Sequence, residues 1–238
     1  MAVILNIETS NTPCSVSLTA EGMILMHREI MEGRNHAAVL TGFIKDALDF
    51  AAMKELKLDA VAVSMGPGSY TGLRIGLSEA KGLAYGLDIP MIGISTLELM
   101  ATSVMFRTDD LPQDVVFVPM LDARRMEVYT AAFDFALTPL IEPRALILNQ
   151  EDDNPYAPLL KSGRPILFFG DGMSKWRDCA EVRKYPNALF IDGVQPLAVD
   201  MTALSERAYS KREFLDTAYC TPTYLKDFQA TVPKSRLK

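Results

Sequence analysis

Cysteine is scarce in this 238-residue chain: only Cys14, Cys179 and Cys220 occur, far apart and without CxxC spacing. An odd and scattered set argues for unpaired thiols in a reducing, cytoplasmic setting and against a disulfide framework. Histidine is scarcer still, with His27 and His36 alone. Long hydrophobic runs are missing; none approaches the roughly 18 apolar residues that a membrane span needs. Basic residues fall short of acidic ones, 24 against 30, for a net charge of −6. That balance argues against broad, non-specific nucleic-acid binding, although a local basic patch remains compatible with it. A basic leader is lacking too, since MAVILNIETS reaches Glu8 at once and reads as a buried first strand instead of a signal peptide.

What is present fits a globular α/β chain. Apolar residues make up 49 %, ordinary for a protein with a sizeable core. AVILNIE, CSVSLT and MILMHREI are strand-like and joined by the turns TSNTP and AEG, which predicts an antiparallel meander. HAAVLTGFIKDALDFAAM follows with Leu40, Phe43, Ile44, Ala47, Leu48 and Ala51 at helical spacing. LDAVAVS reads as a buried strand, a helix runs from near Ser69 to near Leu87, and PMIGIS is a further strand. Ser95 and Glu98 form a candidate capping box for LELMATSVMFR. The expected order is β-β-β-α-β-α-β-α.

Residues 108–114, TDDLPQD, read as a linker. Beyond it DVVFVPML and MEVYTAAFDF flank the turn DARR, and ALILN, PILFF and ALFID supply more strands. AVDMTALSERAYS closes the series, with Asp200 as its expected N-cap. The chain thus divides into 1–107, 114–222 and a basic tail, 223–238.

The segment VSMGPGSYTGLRIGLSEAKG has the strand–bend–helix order of a phosphate loop, yet both phosphate templates fail. GxxxxGK[ST] fails because Thr71 stands where its second glycine belongs and no Lys-Ser or Lys-Thr pair follows. GxGxxG fails because Thr71 takes its third glycine position. What remains is a helical ridge of Gly72, Gly76, Ala80 and Ala84, one residue every four. Glycine within a helix costs about 1 kcal/mol relative to alanine, so a compensating close approach is expected. Internal packing against the sheet and contact with another helix across a subunit boundary are both open. The flanking charges Arg74 and Glu79, with Gly82 and Gly86 widening the small surface, favour the boundary. On that reading Gly76→Leu blocks pairing and leaves the isolated chain folded.

The run MGPGSYTGLRIGLSEAKGLAYGLDIPMIGISTLELMA closely resembles the TsaB family, also called YeaZ. ILNIETSNTPCSVSL, LDARRMEVYTAAF and PTYLKD extend the resemblance, which is strongest over the first 135 residues or so. It implies an actin/Hsp70/sugar-kinase-like (ASKHA) α/β fold of two ribonuclease-H-like subdomains. It also implies a bacterial, cytoplasmic subunit for threonylcarbamoyladenosine formation at position 37 of tRNAs, pairing with the catalytic paralogue TsaD and joined by the ATPase TsaE. Alone, such a subunit is expected to form a homodimer and to meet tRNA only within the complex. The implied pairing surface comprises His36, Leu40, Phe43, Thr71, Gly72, Arg74, Ile75, Gly76, Glu79 and Ala80.

Catalytic groups are not expected. The paralogue's metal-binding His-x-x-x-His pair corresponds here to His36 and Leu40, which leaves one imidazole and no metal site. No GxSxG elbow is present to place a serine nucleophile. In ATPases of this fold type, hairpins in each half cradle phosphate. The matching positions here are Glu8, Thr9 and Ser10, then Asp122-Ala123-Arg124, with Gly170 and Gly172 near a would-be adenosine. The turn TSNTP has no glycine and Ala123 replaces another, so the nucleotide cleft reads as degraded. No cofactor is required, and room is left for weak ATP or ADP binding. The competing enzyme reading is an ATPase or phosphotransferase with Glu8 and Asp122 around magnesium; a metallopeptidase is a third. Asp122, Arg124 and Glu127 are either a charged patch at the cleft mouth or a self-satisfying turn. Lys226, Lys234, Arg236 and Lys238 are candidate tRNA contacts or a solvated tail.

Overall fold

The computed structural model describes residues 2–32, 35–148, 154–179 and 182–226, in which two five-stranded sheets repeat one topology. In the first, β1 (Val3–Glu8), β2 (Cys14–Ala20) and β3 (Met23–Ile30) form an antiparallel meander. β4 (Ala60–Gly66) and β5 (Met91–Ser95) join parallel on the far side of β1, giving the order β3-β2-β1-β4-β5. The second sheet contains β6 (Val116–Asp122), β7 (Glu127–Phe133), β8 (Pro139–Ile147), β9 (Ile166–Phe169) and β10 (Ala188–Ile191). Its order, β8-β7-β6-β9-β10, repeats that plan with the same parallel and antiparallel pairings. The helices are α1 (His36–Met53), α2 (Tyr70–Leu87), α3 (Thr96–Arg107), α4 (Ala157–Lys161), α5 (Met173–Arg177) and α6 (Thr202–Lys211). A meander with parallel crossovers, made twice, is the two-subdomain ribonuclease-H-like arrangement of the actin/Hsp70/sugar-kinase type.

β1, β2 and β4 are buried on both faces, which explains their nearly unbroken apolar runs. Side chains alternate across a strand, so each strand serves two cores. Val3, Leu5 and Ile7 pack beneath α1 and α2, whereas Ile4 joins the core on the opposite face.

The two halves exchange helices. Leu97, Met100, Ala101 and Val104 of α3 pack with Phe117, Phe133 and Phe169 of the second sheet. Leu204 and Ala208 of α6 pack with Ile4, Ala62, Ile92 and Ile94 of the first. The division into 1–107 and 114–222 therefore follows the sheets, while each half completes the other's core. Ser15 and Ser17 help to explain how. Buried on the inner face of β2, they accept from Ala198 N and donate to Ala198 O, both at 2.9 Å.

Two capping expectations resolve differently. Ser95 caps α3 by accepting from Glu98 N at 3.4 Å, but the Glu98 carboxylate turns to Arg207 of α6. Asp200 does not cap α6, which begins after Met201 without a side-chain cap. The segment Ala198–Met201 is a 3-10 turn docked on β2, and Asp200 instead pairs with Arg107 at the end of α3, at 2.7 Å. The start of the tail is packed: Thr223 N donates to Met65 O at 2.7 Å, and Lys226 pairs with Glu127. Lys234, Arg236 and Lys238 lie outside the described residues.

Candidate functional site

The glycine ridge of α2 faces inward. Ser69 caps the helix by accepting from Gly72 N at 3.2 Å, Ser69 N donates to Ser10 O at 2.6 Å, and Thr9 Oγ1 donates to Gly72 O at 2.8 Å. A Cβ on Gly68 would lie 2.3 Å from Ser10 O, one on Gly72 2.0 Å from Thr9 O, and one on Gly76 2.3 Å from Thr9 Oγ1. The clearance is for the turn after β1. This corrects the boundary reading of the ridge, because bulk at Gly76 meets the chain's own Thr9 before it meets any partner. Leu40 and Ala80 are fully buried as well.

The remaining expected surface residues line the outer side of α1 and α2. Thr71 and Arg74 are exposed, while His36, Phe43, Ile75 and Glu79 are half-buried. His36 Nε2 lies 3.0 Å from Thr12 O, so the imidazole pins the start of α1 to the β1–β2 turn. Thr41 Oγ1 donates to Glu79 Oε1 at 3.0 Å and ties the two helices together. Arg74 sits over the Tyr70 ring at 4.2 Å and donates to Tyr224 OH at 3.1 Å. Beside them runs an exposed strip of Ser78, Gly82, Tyr85 and Gly86, with Tyr85 88 % exposed. A Cβ on Gly42, Gly82 or Gly86 meets nothing within 4 Å. The spacing Ser78-Gly82-Gly86 parallels the buried ridge and was the available sequence signal for this outer strip.

In this fold type a magnesium nucleotide is implied where the β1–β2 and β6–β7 turns of the two halves meet. Glu8 ends β1 on the face shared with Ser64 of β4 and is completely buried. Its Oε1 accepts from Ser10 N, whereas Oε2, Ser10 Oγ and Ser64 Oγ reach no partner at hydrogen-bonding geometry. Burial pushes the carboxyl up to about 6, against the smaller opposing pull of Ser10, Ser64 and the Thr9 amide. Burial and the neighbouring Glu8 also raise the Cys14 thiol to about 11, so it is no nucleophile near neutral pH.

The second hairpin is held by its own side chains. Asp122 Oδ1 accepts from Arg124 N and from Lys175 Nζ. Asp122 N donates to Asp171 Oδ1 at 2.8 Å. From the other half, Asn11 Nδ2 donates to Asp171 Oδ2 and to Gln195 Oε1, each at 3.0 Å. A Cβ on Gly170 would lie 2.4 Å from Met120 O, and one on Gly172 2.9 Å from Leu121 C. These glycines let the turn press on the end of β6. Within the Asp122–Arg124–Glu127 group, Asp122 accepts from the Arg124 amide, while its carboxylate and that of Glu127 pair with Lys175 and Lys226 from outside the turn. Asn11, Lys175 and Gln195 carry no sequence signal for this site, because their convergence with Asp171 joins three separate segments.

A phosphate needs free amides or cations, and here those of Ser10, Asp122 and Arg124 already serve carboxylates. The residues present do not fit a magnesium nucleotide. Among the described residues no group of three His, Cys, Asp or Glu side chains is arranged to hold a metal ion. Nor, among them, is any helix long and apolar enough to cross a membrane.

The chain is similar to known proteins in both sequence and fold. Residues 30–170 match the family model described as TsaD, tRNA N6-adenosine threonylcarbamoyltransferase. A tRNA threonylcarbamoyladenosine biosynthesis protein TsaB from Bacillus subtilis (strain 168) is 31 % identical over 181 residues, 75 % of either chain. One of the same description from Escherichia coli (strain K12) is 28 % identical over 229 residues, 94 % of either chain. A solved structure described as YeaZ from Pseudomonas aeruginosa superposes with a TM-score of 0.74 at 25 % identity, over 94 % of this chain and all of that one.

Proposed function

The chain belongs to the TsaB (YeaZ) family of tRNA threonylcarbamoyladenosine biosynthesis proteins, and from that premise we propose that it is a non-catalytic binding subunit. It pairs with and activates a TsaD-like threonylcarbamoyl transferase through the outer side of α1 and α2. A TsaE-like ATPase joins the pair, tRNA is met within the complex, and the chain alone forms a homodimer on the same surface. The setting is cytoplasmic, in keeping with the unpaired thiols. The observation that carries this reading is the contrast between the open outer strip, with no neighbour at Gly42, Gly82 or Gly86, and a cleft whose hairpin amides are taken by carboxylates.

Gly82→Leu tests it. The position is open, and replacing a helical glycine gains about 1 kcal/mol of helix propensity. The variant is expected to fold at least as stably as the parent and to lose co-elution with the TsaD-like partner on size exclusion. Retained co-elution would remove α2 from the interface. A calorimetric titration with Mg-ATP checks the non-catalytic half: no saturable binding at submillimolar ligand is expected of the isolated chain. Submillimolar binding accompanied by turnover would restore the ATPase reading.

A further inference from the structure

We propose that Asp171 is an internal latch that holds the two halves of the molecule closed without a ligand. In nucleotide-dependent proteins of this fold type, phosphate joins the hairpins of the two halves across the cleft. Here the Asp171 carboxylate makes that connection. Oδ1 accepts from the backbone amide of Asp122 at the end of β6, at 2.8 Å. Oδ2 accepts from the Asn11 side chain on the β1–β2 turn of the opposite half, at 3.0 Å. The second N–H of Asn11 reaches Gln195 at 3.0 Å, so the turn is gripped at two points of the second half.

The surroundings support a carboxylate at this place. Lys175 pairs with Asp122 and donates to Glu127 O at 3.1 Å. The amides within each hairpin serve Glu8 and Asp122. Hydrogen bonds to an ionised carboxylate are the stronger class, and two of them from different segments fix an orientation that one cannot. Gly170 and Gly172 contribute by letting the turn that carries Asp171 seat directly on Met120 and Leu121. A rigid closed cleft suits a chain whose work is done by an outer surface, yet the latch stands on its own geometry and would hold even if α2 carried no partner.

The test is a distance distribution between spin labels on Lys57 and Leu189, exposed residues of opposite halves outside α1 and α2, with Cys179 and Cys220 replaced by serine and the labelled chain diluted into unlabelled chain. The parent should give one narrow distribution, unchanged by millimolar magnesium pyrophosphate. D171A and N11A should each give a broader, longer one, since each cuts the crossing from Asn11. Amide exchange at Asp122 should rise about tenfold in D171A, which loses a charge-assisted hydrogen bond. If D171A fails to fold, D171N serves: its amide still accepts from Asp122 N but turns a donor towards Asn11, and the same broadening is expected. Narrow, parent-like distributions in the folded variants would overturn the proposal. So would a parent distribution that shifts when magnesium pyrophosphate is added.

Discussion

Gly72→Ala is expected to destabilise the protein by about 2–3 kcal/mol, a loss of roughly 5–10 °C in melting temperature for a chain of this size. In an ordinary helix the same exchange stabilises by about 1 kcal/mol. The sign reverses here because the new methyl would lie 2.0 Å from the carbonyl oxygen of Thr9. That oxygen is backbone, on a buried residue whose hydroxyl is already committed to Gly72 O, so it has little freedom to withdraw. Gly82→Ala, ten positions along the same helix, is the internal control and should raise stability, since nothing stands within 4 Å of its methyl. Parallel thermal melts of the two variants decide the matter. Equal gains in both would mean that α2 does not rest on the β1–β2 turn.

The second large effect concerns Glu8. Its carboxyl is raised from an ordinary 4.5 to about 6 by burial. Between these values the folded chain binds more protons than the unfolded chain, so stability falls as pH rises through that window. The total loss is about 2 kcal/mol, complete above pH 6 or so. Glu8→Gln removes the buried charge and keeps an acceptor for Ser10 N. Its amide would lie beside the Ser10 and Ser64 hydroxyls, both of which lack partners and can accept. The variant should therefore be more stable than the parent by about 2 kcal/mol at pH 8, roughly 4–8 °C, and nearly equal to it at pH 4.5. A variant less stable than the parent at pH 8 would show that the hydrogen bonds from Ser10, Ser64 and Thr9 to the ionised carboxylate outweigh its burial.

Much of the first half is legible from sequence because its signals are local. The turns TSNTP and AEG mark the meander, and Ser69 and Ser95 mark the starts of α2 and α3. The ridge Gly72-Gly76-Ala80-Ala84 is equally plain as a pattern. Helical periodicity says that such a face is narrow, however, and not what lies on it. The answer, Thr9, stands 63 residues before Gly72. Asp200 misleads for a related reason: an Asp ahead of an amphipathic run fits an N-cap, but docking of Ala198 on Ser15 and Ser17 starts the helix later. The exchange of α3 and α6 is invisible to periodicity, which does not specify the sheet a helix covers. The latch is invisible for a stronger reason, since Asn11, Asp122, Asp171 and Gln195 meet only after both halves have folded.

The most direct measurement is tRNA threonylcarbamoylation in a reconstituted mixture with the TsaD-like and TsaE-like proteins, comparing the parent chain, Gly82→Leu and Glu8→Gln. An outer-surface partner with an inert cleft predicts full activity with Glu8→Gln and loss of activity with Gly82→Leu, both variants remaining folded. Activity lost with Glu8→Gln and kept with Gly82→Leu would contradict it and return the function to the cleft.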